Sequence, residues 1–258
     1  MKQTAKTIHL FANWKMYLDY DESNILAHAF ADKFKKHPDE IEIAVFPGSL
    51  ALYPAGQVLR DVNIGVGAQN VYWVDKGGYT GEISAQMFRD AGCGYALIGH
   101  SERRHIFGET NHDVRQKLEA ALAVGLTPVI CVGETAEERK ANKTDEIVEV
   151  QLRAAFQKLA IADSAEIFVA YEPVWAIGTG DACDAAEAER VHKMIKKIAA
   201  ALLPKINLHV LYGGSVRADN VADYLALSDV DGVLIGNASA KVETFTEIFE
   251  QTIKLLNV

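Results

Sequence analysis

The feature that most limits what this chain can fold into is an alternation: a short β-like run followed by a helix-like stretch, eight times over. The runs fall at residues 7–13, 41–46, 63–69, 95–98, 127–132, 167–171, 208–212 and 232–235. Between them lie amphipathic stretches such as 111–124, 146–159, 187–203 and 242–256. Val114, Leu118, Ala121 and Leu122 recur at a spacing of three to four, which places them on one helix face. Asp184, with Glu187 three residues on, predicts an N-cap and capping box opening one of these helices. The runs are almost continuously apolar rather than alternating, as in strands covered by helices outside and packed inside. Strand–helix alternation implies parallel strands with right-handed crossovers. Eight repeats suit a closed α/β barrel of the (β/α)8 kind, with residues 1–258 as a single domain. An open doubly wound sheet is the alternative.

Cys93, Cys131 and Cys183 are odd in number and irregularly spaced, so neither a disulfide framework nor a zinc cage is expected. The stretch after the basic N-terminus is broken by His9, Asn13 and Lys15, unlike a signal peptide. No run approaches the roughly 18 apolar residues of a membrane helix. These features predict a soluble, cytoplasmic chain. Its net charge of −9 argues against a nucleic-acid binder or an anionic-membrane binder.

In a closed barrel the chemistry gathers at the C-terminal ends of the strands. The unusual polar residues fall there: Asn13 and Lys15, Gln69 and Asn70, His100, Ser101 and Glu102, Glu172, Ser215 and Asn237. Glu172 directly follows an apolar run. Shielded by Tyr171, Val174 and Trp175, its carboxylate is expected to gain basicity, as a base for a C–H proton requires. His100 opens a predicted helical turn, where the positive dipole end favours neutral imidazole. Lys15 supplies local charge; a charge pair at 4 Å is worth about 4 kcal/mol at an effective dielectric near 20. Gly213-Gly214-Ser215 precedes a helix predicted to begin near Arg217, and Gly236-Asn237-Ala238-Ser239 precedes another. Such loops let backbone N–H groups approach a phosphate. Residues 173–180, with Pro173 at one end and Gly178 and Gly180 at the other, read as a lid with an apolar middle.

Along its whole length the sequence resembles the triosephosphate isomerase family. The resemblance rests on Asn13-Trp14-Lys15, Gly67-Ala68-Gln69-Asn70, the run from Tyr79 to Ser84, and the run from Ile98 to Arg104. It rests further on Cys131-Val132-Gly133-Glu134, the run from Tyr171 to Gly180, and Tyr212-Gly213-Gly214-Ser215-Val216. It implies a TIM barrel and the isomerisation of dihydroxyacetone phosphate to D-glyceraldehyde 3-phosphate in glycolysis and gluconeogenesis, with no metal or organic cofactor. By the same resemblance, Glu172 shuttles the proton, His100 polarises the carbonyl, Lys15 stabilises the enediolate and Asn13 orients the substrate. Glu102 supports this network, and Gly178, Ser215, Gly236 and Asn237 hold the phosphate. The glutamate base and neutral histidine are the family's known pattern, carried over rather than deduced. The apolar loop 71–80 implies a homodimer in which it inserts into the partner.

Two departures from the family pattern stand out. Asn237 replaces a usual second Gly, with Ala240 where Leu is common, and Asn tolerates positive φ better than other side chains. Asp181-Ala182-Cys183 replaces a sequence such as Lys-Val-Ala at the distal end of the lid. Another phosphosugar barrel that makes or breaks C–C bonds would need a Schiff-base Lys or a metal cluster. Lys15 is the only rim lysine in the motifs, and no His/Asp/Glu cluster has ligand spacing. A non-catalytic barrel would have no need of Glu172, His100 and Lys15 together.

Overall fold

The computed structural model of the chain describes residues 6–177 and 182–256. Eight strands run in parallel and pair in sequence order: β1 (Ile8–Asn13), β2 (Ile41–Phe46), β3 (Gly65–Ala68), β4 (Tyr95–Ile98), β5 (Thr127–Val132), β6 (Glu166–Tyr171), β7 (Asn207–Tyr212) and β8 (Gly232–Ile235). Pairing of His9 with Gly232 closes β8 onto β1, so the sheet is a barrel without an edge and not an open doubly wound sheet. Side chains of Phe11, Phe46, Leu97, Val129, Phe168, Leu211 and Leu234 form one cluster, distinct from the larger cluster shared with the helices. Alternate residues of β1 show the division, with Phe11 in the first cluster and Leu10 and Ala12 in the second.

Most strand limits follow the apolar runs, and the exceptions have physical causes. The third strand begins at Gly65 rather than at residue 63, because Asn63 sits at φ 59° and cannot extend a strand. The sixth and seventh gain Glu166 and Asn207, polar residues that pair with each other through the backbone.

Ten helices follow among the described residues: α1 (Tyr20–Phe34), α2 (Leu52–Arg60), α3 (Ala85–Asp90), α4 (Ser101–His105), α5 (Asn111–Ala123), α6 (Ala136–Lys140), α7 (Thr144–Phe156), α8 (Ala185–Leu202), α9 (Val221–Leu225) and α10 (Val242–Leu256). Asp19 with Glu22, Thr110 with Asp113, and Thr135 with Glu138 form reciprocal capping boxes. Asp184 caps α8 as expected, accepting from the N–H groups of Ala186 and Glu187. The Glu187 carboxylate, however, is held by Arg190 instead of returning to the cap. The helix expected near Arg217 starts only at Val221, because Asn220 Oδ1 takes the Arg217 N–H at 2.8 Å and holds a turn there. No helix among the described residues is long and apolar enough to cross a membrane.

Candidate active site

A cleft of about 460 Å³ opens at the C-terminal ends of the strands, with buried Asn13, His100 and Glu172 and half-buried Lys15 among its walls. Half-buried Ser215 and Gly236 and exposed Asn237 line it as well.

Glu172 leaves β6 with its N–H on the Val132 carbonyl at 2.7 Å. Two glycines make room for it. A Cβ at Gly133 would lie 1.8 Å from the Glu172 carbonyl oxygen, and one at Gly213 would lie 2.9 Å from Glu172 Cγ. The carboxylate takes the Ser101 N–H at 2.7 Å through Oε2, and Oε1 stands 3.0 Å from His100 Nε2. Burial pushes this carboxyl up. The charge and hydrogen bond of His100, the Ser101 N–H and Lys15 outweigh it, and the net direction is downward. The raised basicity expected from shielding is therefore absent in this state. Its supposed shields face elsewhere: the Tyr171 hydroxyl and Trp175 Nε1–H both reach the buried carboxylate of Glu134. The Arg139 guanidinium lies 3.8 Å above the Trp175 ring.

His100 is the N-cap of α4, and its Nδ1 accepts the Glu102 N–H at 3.3 Å. That leaves Nε2 to carry the proton towards Glu172. Gly99, at φ 71°, makes the bend that delivers the ring, and a Cβ there would meet Val114 and Arg104. Burial pushes the imidazole pKa down, but the adjacent Glu172 carboxylate more than reverses this, so the net direction is upward. The tautomer fits a neutral ring; the pairing with Glu172 favours the cation more than the sequence suggested.

Lys15 sits at φ 48°, in the left-handed region, where a side chain other than Gly costs about 1–3 kcal/mol. Its neighbours fix that conformation. Its N–H donates to Asn13 Oδ1 at 3.0 Å, and its carbonyl accepts from Gln69 Nε2 at 2.7 Å. Its Nζ donates to Glu102 Oε1 at 2.8 Å. Glu102 thus stands beside both Lys15 and His100, with Oε2 3.7 Å from His100 Nδ1. A Cβ on Gly236 would lie 3.3 Å from Lys15 Cε, so the eighth loop passes close to the lysine stem.

The other candidates divide. Ser215 reaches the cleft, but its hydroxyl donates to the Ala176 carbonyl at 2.7 Å, holding the root of the lid. Asn237 opens a 3-10 turn, Asn237–Ala240, and is not among the residues at positive φ, so no strain attends the replacement of Gly. Ile177 lines the cleft from the lid side, whereas Gly178, Gly180 and Asp181 lie outside the described residues. Sequence reasoning missed the Ser101 N–H, which carries no side-chain signature. It also missed Arg217 and Lys241, cations placed two residues beyond the glycine-bearing loops and lining the same cleft. Among the described residues no group of three or more His, Cys, Asp and Glu is placed to hold a metal ion.

The family model described as triosephosphate isomerase matches residues 8–252. A triosephosphate isomerase of Endomicrobium trichonymphae is 42% identical over 92% of this chain and 95% of its own length. Those of Dictyoglomus turgidum and Francisella philomiragia are 41% and 39% identical, over 92% and 95% of this chain and 96% and 97% of theirs.

Proposed function

Because the chain belongs to the triosephosphate isomerase family, and so interconverts dihydroxyacetone phosphate and D-glyceraldehyde 3-phosphate in glycolysis, we propose which of its groups do the work. One observation carries the assignment: a buried carboxylate and a buried imidazole, 3.0 Å apart, line a cleft whose other walls include glycine-bearing loops.

Glu172 takes the proton from one substrate carbon and returns it to the next, passing through an enediolate. Its carboxylate rests on His100 and the Ser101 N–H. Turning to the substrate would break those contacts, which are what hold its pKa down. Burial would then dominate and make it a stronger base. The same movement removes the carboxylate that most raises His100, leaving burial and Lys15 to favour the neutral ring against Glu102. One motion thus readies both groups. His100 donates from Nε2 to the substrate oxygens, and Lys15 offsets the negative charge that develops there. Asn13 fixes the lysine backbone and orients the substrate, and Glu102 steadies Lys15. Ser215 and the N–H groups of Gly178, Gly236 and Asn237 receive the phosphate, beneath a lid that keeps water from the enediolate.

The whole chain of 258 residues acts as one catalytic domain. It works as a homodimer through the 71–80 loop. Exposed Met16, Leu50, Tyr79, Ile106 and Phe107 support this reading, since all lie on segments that follow the neighbouring strands β1 to β4. Three buried free cysteines favour a cytoplasmic setting. The roles are tested by Glu172→Asp in a coupled assay on glyceraldehyde 3-phosphate. Withdrawing the carboxylate by about 1 Å should lower turnover about 10²-fold, and unchanged turnover would remove Glu172 as the base.

A further inference from the structure

The cleft is larger than one phosphate and three carbons require. Its volume of about 460 Å³ lies within the range of about 300–1,000 Å³ typical of sites for much larger ligands. Arg217, Lys241, Thr244 and Glu247 also wall this cleft, a stretch that the proposed substrate placement, with the carbonyl at Glu172 and the phosphate at Ser215, Gly236 and Asn237, does not use. Two of these four are cations. Lys241 is exposed, and its ammonium makes no ion pair or hydrogen bond among the described residues. Arg217 donates through Nε to Asp219 at 3.0 Å, and both side chains are largely exposed. Among the described residues the lining carboxylates are Glu247, which opposes them, and Glu172, which is already paired with His100. The third lining cation, Lys15, is committed to Glu102.

We infer that this outer stretch is a second anion subsite, formed by Lys241 and Arg217, which lets the enzyme hold a short-chain organic bisphosphate across both positions. Such a molecule has no reacting carbonyl to present and acts as a competitive inhibitor. The inference rests on the proposed placement of the substrate phosphate. Tethering the second phosphate makes its binding intramolecular, so affinity depends sharply on the length of the spacer.

The test uses propyl phosphate and a ladder of straight-chain alkanediol bisphosphates as competitive inhibitors of the intact enzyme. One spacer length should bind about tenfold or more tightly than the monophosphate, as expected for matched bivalent contact. Lys241→Gln and Arg217→Gln should each cut that advantage by about threefold or more, beyond what removal of a distant charge does. Lys36→Gln, which removes the same charge in the segment between α1 and β2, should leave the ratio unchanged. The subsite is overturned if no spacer gains over the monophosphate, or if Lys36→Gln erodes the gain as much as Lys241→Gln. Failure of propyl phosphate itself to compete would instead overturn the phosphate placement, and the subsite with it.

Discussion

At the scale of single residues, the site is governed by what each charged group touches rather than by how deeply it is buried. Glu172 and His100 are both almost inaccessible, and burial alone would drive both towards neutrality. Their contact reverses this in opposite senses, lowering the carboxyl and raising the imidazole. His100→Gln therefore has a consequence beyond losing a donor. It removes the largest influence holding Glu172 down and leaves burial opposed only by the Ser101 N–H and Lys15. The acid limb of kcat/KM, which reports the free enzyme, should move to higher pH, while turnover falls by about 10²-fold or more. A pH–rate profile of the variant checks this; an acid limb at the wild-type position would show that His100 does not set the carboxyl. Lys15 illustrates the limit of reading residues alone. Its place in the site was legible from Asn13-Trp14-Lys15, but its left-handed backbone was not, because part of what holds it is the distant Gln69 side chain on its carbonyl.

At the scale of elements, apolar runs located the strands well, and the errors arose where hydrogen bonds of polar residues decide. Residues 207 and 166 are polar, and nothing in their side chains predicts a strand, yet each completes the other's backbone pairing. The turn at Arg217 is held by the Asn220 side chain, and α9 starts only after it. At the head of α8, Asp184 was legible because capping is local, whereas the fate of Glu187 was not. Arg190 binds Glu187 and also reaches Asp145 of α7 at 2.8 Å, a tertiary competitor invisible in a four-residue motif. The cap therefore rests on Asp184 alone, bonded to two backbone N–H groups. Asp184→Ala should destabilise the protein by about 1 kcal/mol, the usual value for a lost N-cap. Thermal or denaturant unfolding measures this. Glu187→Ala should cost clearly less, since it only frees an exposed ion pair; equal costs would restore the capping box.

At the scale of the whole molecule, the net charge of −9 says little about the site, because the cleft draws its sign from Lys15, Arg217, Lys241 and loop N–H groups. What the monomer does leave unmet is apolar surface. Met16 and Leu50 are 96% and 88% exposed beside the first two strands, and sedimentation should find a dimer at assay concentrations. A monomer there would remove the proposed role of the 71–80 loop. The opposite end of the barrel presents a different dependence. Glu42 near the start of β2 accepts from Tyr95 and contacts His9 Nδ1 at 2.6 Å, while His209 beside it pairs with Glu166 at 3.2 Å. Burial pushes the Glu42 carboxyl up, but its hydrogen bonds with His9 and Tyr95 win, and its folded pKa lies below the ordinary value. A carboxyl lowered on folding stabilises the native state above its unfolded pKa of about 4.3, and that contribution is lost as pH falls through the folded value. Glu42→Gln should therefore lower Tm at neutral pH, and the gap to wild type should narrow steadily as the solution is acidified below about pH 4. Melting curves across that interval decide the matter. A gap that stays constant with pH would mean that Glu42 contributes through packing and neutral hydrogen bonds, with no share in the acid stability of the barrel.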